Sequence, residues 1–283
     1  MAGSLTDIRG RAGWTAAMLV LVGLSACRPA VPPRIAPRPP LGREALLEAL
    51  RTWPVPPALE GRAYLRLTAG EQGLPGLNAR FVVHGPGGAN VMLRPGVLPP
   101  VLSMWVGPSS WRLLLPRQRV YAQATDSRAE ADLPADMLGD LFEYLLTPQL
   151  IVAGMQDIGF VPHQGDVILR GTLESIGGKA SRAEIAVDPR SLAVSRWSLS
   201  DDRGASLVRV AYEPPILGSE YTGNIVFLVP QLDVRGVLEV RDLERSDRDP
   251  APPPEVPESW ERIHPEEVIL LLEGVSGDTP EEP

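Results

Sequence analysis

The chain is 283 residues long, 44% apolar, with 27 basic and 35 acidic residues and a formal net charge of −8. Those numbers fit one or two folded domains, exclude wholesale disorder, and argue against a nucleic-acid partner, which needs a basic stripe. With 31 prolines and 27 glycines the chain is too rich in turn formers for a helical bundle and reads as mainly β. One cysteine (Cys27) and three histidines (His84, His163 and His264) are too few for a Cys/His zinc site, and no cofactor is expected. Lys179 is the sole lysine, so the remaining basic residues are arginines, and no arginine cluster stands out along the chain.

In chain order, residues 1–26 read as a processing signal. Arg9 and Arg11 precede an apolar run, Trp14 to Leu24, whose length as a helix falls well short of the ~30 Å hydrocarbon core of a bilayer. That length suits a secretory signal peptide. The run ends in Leu24-Ser25-Ala26-Cys27, which resembles the bacterial lipobox. The resemblance implies cleavage before Cys27 and attachment of lipid to its thiol, hence a membrane anchor. Residues 27–40 then form a proline-rich tether, and at ~3.1 Å per residue a polyproline segment of this length holds a domain ~40 Å off the membrane. Arg28, not aspartate, follows the cysteine, which by the sorting tendency of enteric bacteria favours the periplasmic face of the outer membrane.

Residues 41–245 read as one β domain. Leu41, Ala45, Leu46, Ala49 and Leu50 recur at helical spacing over 41–52, predicting an N-terminal amphipathic helix stopped by Pro54. Six strand-like segments follow between Gly61 and Gln123, with alternation such as Leu65 and Leu67 against Tyr64 and Arg66, or Phe81 and Val83 against Arg80 and His84. The period changes over 134–147, where Met137, Leu138, Leu141, Phe142, Leu145 and Leu146 share a helical face ended by Pro148. Six further strands are expected between Asp166 and Arg241. The fold class is therefore mainly β: a large curved antiparallel sheet, an incomplete barrel, with an N-terminal helix and an inserted helical lid. Residues 246–283, rich in proline and acids, are expected to wrap the surface or stay partly unstructured.

The catalytic signals are weak. No Gly-x-Ser-x-Gly elbow is present, the histidines show no metal-ligand spacing, and Gly178-Lys179 lacks the glycine and hydroxyl of a phosphate loop. Asp132, Asp136 and Asp140 recur every four residues, which a solvated helix face explains. The chain is therefore not expected to be an enzyme. What remains is apolar excess at Val97–Leu102, Leu113–Leu115 and Leu145–Met155, more than a one-sided sheet needs. A large packed core accounts for it, and so does an apolar cavity between sheet and lid that takes an acyl chain.

The phrases Ala79-Arg80-Phe81-Val82-Val83-His84-Gly85-Pro86, Trp111-Arg112-Leu113-Leu114-Leu115-Pro116, Tyr121, Glu184-Ile185-Ala186-Val187-Asp188-Pro189 and Ala211-Tyr212-Glu213, in this order of elements, resemble the LolA/LolB lipoprotein-localisation family. The resemblance spans about residues 41–245 and is one of pattern. It implies an incomplete barrel closed by helices, whose cavity binds acyl chains of lipoproteins or other lipids, and Cys27 places the chain beside the lipid-anchored receptor type. Leu65, Leu67, Phe81, Val83, Met137, Leu141 and Leu145 are the implied cavity residues. Leu74, in Gly70–Leu77, is the candidate for the receptor's exposed apolar loop. His84-Gly85-Pro86 departs from the carrier type, which has an arginine before that proline to latch its lid. The functional expectation is an envelope lipoprotein that binds acyl chains, with transfer to the outer membrane as its purpose. The alternative is a packed scaffold that docks an envelope protein partner.

Overall fold

A computed structural model describes residues 39–264 apart from 55, 71, 74, 85–87, 108–109, 126–134, 177–178 and 218–220. The chain divides at Pro39/Pro40 into two units, and the second holds everything described below. Cys27 and the signal and tether segments before residue 39 therefore lie outside the described residues.

The strands of one antiparallel sheet dominate this unit. A short helix, α1 (Arg43–Arg51), leads into β1 (Ala58–Ala69), β2 (Gln72–Gly73), β3 (Leu77–His84), β4 (Gly88–Arg94), β5 (Leu102–Val106), β6 (Ser110–Leu115) and β7 (Val120–Thr125). Helices α2 (Ala135–Leu146) and α3 (Gln149–Gly154) interrupt the strands. The chain continues through β8 (Met155–His163), β9 (Asp166–Ile176), β10 (Lys179–Val187), β11 (Val194–Ser200), β12 (Ser206–Ile216), β13 (Gly223–Val229) and β14 (Val234–Arg245), with a final short β15 (Glu261–Arg262). The spatial order is β15-β7-β6-β5-β4-β3-β1-β14-β13-β12-β11-β10-β9-β8, with β2 hanging on β1. The two meanders are joined by the β1–β14 ladder, where Leu65 faces Leu238 and Leu59 faces Arg245. The sheet does not close: β8 ends one side and β7, capped by β15, the other. This is the curved, incomplete barrel that the sequence predicts.

Register sorts the strand residues into two faces. Ala122, Leu113, Met104, Val91, Phe81 and Gly61 form one row across β7 to β1. Phe160, Leu169, Ile185, Trp197, Val210, Phe227, Gly236 and Leu67 form another across β8 to β1. Every member is apolar or glycine, and the helices pack on this inner face. Helix α2 touches β3, β4, β5, β6 and β9, while α3 touches β9 and β10 and is itself covered by α1. Because α2 and α3 follow β7 and precede β8, the helices join the two free edges of the sheet across its inner face.

Glycines let the inner face curve tightly where rings must fit. The Phe227 ring lies on Gly236 of the neighbouring strand, and the Phe81 ring on Gly61, where a Cβ would stand 2.6 Å from Phe81 Cζ. One polar device ties α2 to the sheet. Buried Trp197 Nε1 donates to Tyr212 Oη at 2.8 Å, and that hydroxyl shares its proton between the carbonyls of Tyr144 (3.2 Å) and Leu145 (3.1 Å). The Tyr144 and Trp197 rings meet edge to face at 6.4 Å. Helix α1 is held to the edge strand β8 by Arg43, whose guanidinium lies 4.5 Å from the Phe160 ring centroid and donates to Ile158 O at 3.2 Å.

The outer face of the N-terminal meander is covered by the tail. Arg248 pairs with Glu60 at 2.9 Å, Trp105 Nε1 donates to Ala251 O at 2.8 Å, and Arg112 donates to Pro254 O. Ile263 N then bonds Tyr121 O at 2.9 Å as β15 pairs in parallel with β7. Residues 246–264 thus wrap the surface, and residues 265–283 lie outside the described residues. A proline-rich segment suits this place because proline gives up only a donor that a strap does not need.

The structure adds elements that local periodicity does not mark: α3 and β8 in and after the apolar stretch 150–155, and the two-residue strands β2 and β15. Strand β8 has no clean alternation because its register slips between Gln156 and Gly159, and at the edge of the sheet it accommodates Pro162.

Two outcomes test this packing. Gly236→Ala places a Cβ inside the Phe227 ring and should lose ~1–3 kcal/mol in urea unfolding. Combining it with Phe227→Leu should recover part of that loss; strictly additive losses would contradict the ring-on-glycine contact. Tyr212→Phe strands the Trp197 N–H and two helix carbonyls and should lose ~1–3 kcal/mol. Burial raises the Tyr212 hydroxyl well above the ordinary value. The unfolded chain therefore releases this proton first, so stability should fall as pH rises above ~10, and fall less steeply in Tyr212→Phe.

Candidate functional site

The inner face is where the predicted cavity residues fall, and they separate into two groups. Phe81 and Val83 are each 4% exposed and sit in the packed core, Phe81 against Gly61. Leu65 and Leu67 share their face, as period two requires, but are only half-buried. Leu141 and Leu145 of α2 are also half-buried and pack against the core from the helical side. Met137 belongs to α2, and its side chain lies outside the described residues. Leu65 and Leu67 on the sheet, and Leu141 and Leu145 on the helix, are thus the predicted residues that keep exposed surface.

A buried donor looks into the same interior. Trp111 is 5% exposed, lies on the inner face opposite Val106 and Ala124, and its Nε1 has no partner among the described residues. Leaving such a donor unpaired costs ~1–3 kcal/mol, and an ester or amide carbonyl entering the interior would satisfy it. His84 is buried at the end of β3, and desolvation lowers its pKa below the ordinary histidine value, so it is held neutral. A neutral ring at that position is not an electrostatic latch.

Leu74 lies outside the described residues. The exposed apolar tip that the structure does describe is the neighbouring β4–β5 turn, where Val97 is 99% and Leu98 52% exposed between Pro95 and Pro99. Asn78 Nδ2 donates to Gly96 O at 3.2 Å and ties this turn to the start of β3. The Gly70–Leu77 connection and the Val97–Leu98 turn therefore leave the sheet at the same end. The chain enters the domain at the other end, where Leu41 N bonds Pro189 O at 2.9 Å in the β10–β11 turn. The sequence already marks Val97–Leu102 as unusually apolar; what it does not show is that register leaves the first two residues in water.

Among the described residues no group of three His, Cys, Asp or Glu side chains could hold a metal ion, and no helix is long and apolar enough to cross a membrane. A cavity of about 570 Å³ opens on the outer face between β10 and β14, and none of the seven predicted cavity residues lines it.

No known protein-family profile matches the chain, and no curated protein matches it. Solved structures do resemble it. A DUF1329 family protein from Desulfovibrio piger superposes with a TM-score of 0.50 at 11% identity, covering 71% of this chain and 91% of that one. A LolA superfamily protein from Nitrosomonas europaea gives 0.49 at 12% identity, over 74% and 96%. A putative outer membrane lipoprotein-sorting protein domain from Vibrio parahaemolyticus gives 0.45 at 9% identity, over 68% and 87%. At these identities the likeness is one of fold alone.

Proposed function

We propose that the chain is a non-catalytic lipoprotein of the bacterial envelope that takes up acyl chains between its sheet and its helices. The anchor is Cys27, the location the periplasmic face of the outer membrane, and the purpose the handing on of lipid or lipoprotein. The observation that carries this reading is the way the sheet is left open. Its two free edges are joined through α2 and α3, which lie over the inner face. Lifting that lid breaks no strand-to-strand hydrogen bond. It costs mainly apolar contacts, about 25 cal/mol per Å², and an entering acyl chain restores contacts of the same kind. A closed barrel offers no such low-cost opening. The half-buried Leu141 and Leu145 are contacts to be exchanged, the half-buried Leu65 and Leu67 offer apolar surface on the same face of the sheet, and Trp111 Nε1, without a partner among the described residues, is a donor for an ester or amide carbonyl. Val97 and Leu98, at one end of the sheet, form an apolar tip suited to touch a bilayer during uptake or release.

Two experiments check the two halves of the proposal. Cys27→Ser replaces the acceptor thiol by a hydroxyl and should abolish palmitate labelling and membrane fractionation; unchanged labelling would remove the anchor. Native mass spectrometry of the Cys27→Ser chain should find co-purified lipid, and Leu141→Glu should deplete it. A seam carboxylate beside a reachable cavity can stay hydrated or shift its pKa, so Leu141→Glu should keep a cooperative melt. Phe81→Glu, placed on Gly61 in the dry core, should cost several kcal/mol and unfold the domain. Absence of lipid, with Leu141→Glu unfolding like Phe81→Glu, would favour the packed scaffold that docks a protein partner.

A further inference from the structure

The sequence shows no arginine cluster, yet the sheet assembles one. On the outer face, Ser198, Arg209, Leu228 and Arg235 lie side by side across β11 to β14. The next row is Ala186, Arg196, Ala211, Val226, Val237 and Arg66, from β10 to β1. Arg196, Arg209 and Arg235 line the 570 Å³ cavity, whose floor is Ala211, Val226 and Leu228. Among the described residues none of these three, nor Arg66, makes an ion pair; Arg209 only donates to Ser206 Oγ at 3.1 Å. The one lining carboxylate, Glu184, is engaged by Arg170 at 2.8 Å. One row further on, Glu213, Asn224 and Glu239 bound the strip with negative charge.

This arrangement is unfavourable as it stands. Arg196 and Arg209 are diagonal neighbours, because Arg196 faces Ala211 and Arg209 faces Ser198, and like charges so placed repel. The apolar floor beneath them is open to water. The tail, which covers the corresponding face of the other meander, does not reach it in residues 246–264: its contacts run along β1, β5, β6 and β7. An inorganic anion would neutralise the arginines and leave the floor wet. A neutral acyl chain would cover the floor and leave the cations facing one another. A nucleic acid needs a longer stripe and a less acidic protein than one of net charge −8.

We propose that this outer groove is a second binding site, separate from the inner seam, for a single anionic lipid. Its acyl portion lies on Ala211, Val226 and Leu228, and its phosphate or carboxylate is held by Arg196, Arg209 and Arg235. A volume near 570 Å³ lies within the 300–1,000 Å³ range of small-molecule sites, enough for part of one lipid and not for a bilayer patch. The site needs no movement of the lid, and its occupancy does not depend on acyl binding at the inner face.

The test uses the full chain carrying Cys27→Ser, titrated calorimetrically with monomeric lysophosphatidylglycerol, lysophosphatidylcholine of the same chain length, and inorganic phosphate. The anionic lysolipid should bind at least tenfold more tightly than the choline lysolipid, and phosphate should bind weakly at most. Adding R196Q, R209Q and R235Q together should weaken the anionic lysolipid at least tenfold without lowering the melting temperature, because all three side chains are solvated and their mutual repulsion is removed. Val226→Glu should do the same by placing a carboxylate on the floor, while Leu141→Glu at the inner seam should leave this binding intact. Equal affinity for the two lysolipids would overturn the proposal. So would unchanged binding in the arginine variant, loss of binding in Leu141→Glu alone, or binding to anionic vesicles without binding to the monomer.

Discussion

The ladder between β1 and β14 is the contact on which the rest of this structure depends. It pairs the first long strand of the domain with the last, residues almost two hundred positions apart, and places them in the middle of the sheet. Without it there are two separate meanders, each with an extra exposed edge. With it, β7 and β8 become the outer limits of one sheet, and the chain between them has to cross the inner face. The position of α2 and α3 over that face is a consequence of connectivity before it is a consequence of their own amphipathic sequences. The ladder also carries a bulge between Arg62 and Ala63, which keeps Leu243 and Val240 both inward despite the extra residue.

The two faces then acquire different chemistry from a single rule, the alternation of side chains along a strand. The two inward rows through Phe81 and Phe227 are apolar or glycine throughout and tight enough that rings require glycine opposite, as with Phe227 on Gly236 and Phe81 on Gly61. The helices are fixed there by apolar contact and by a few polar ties: the relay through Trp197 and Tyr212 to α2, Gln149 of α3 donating to Leu192 O and Ile216 O at 3.5 Å, and Arg43 of α1 donating to Ile158 O. The outward rows diverge between the meanders. One is covered by the proline-rich tail, whose carbonyls take the Trp105 and Arg112 donors, and the other keeps unpaired arginines around an apolar floor.

The two ends of the sheet also differ. The chain enters the domain at the β10–β11 turn, while the exposed Val97 and Leu98 stand at the opposite end of the strands. A twelve-residue strand such as β1 spans ~40 Å at 3.3 Å per residue, so the entry point and the apolar tip are separated by the length of the sheet.

Much of this is legible in the sequence, because the signals are local. Alternation in β1 and β3, the helical period of 134–147 and the proline stops fix the elements, and a lone cysteine after Leu24-Ser25-Ala26 fixes the expected anchor. The inward assignment of Leu65, Leu67, Phe81 and Val83 follows from period two alone. What only the tertiary structure decides depends on which strand lies beside which. Phe81 becomes a packed core residue because Gly61 admits its ring opposite, while Leu65, which faces Leu238, stays half-buried. Arg196, Arg209 and Arg235 come from three strands and become neighbours through three ladders that no stretch of sequence displays. Strand β8 escapes the pattern because it combines a register slip with a proline at the edge of the sheet. Periodicity within a segment is written in its residues, whereas pairing between segments is set by the whole sheet finding the one register that buries every inward row.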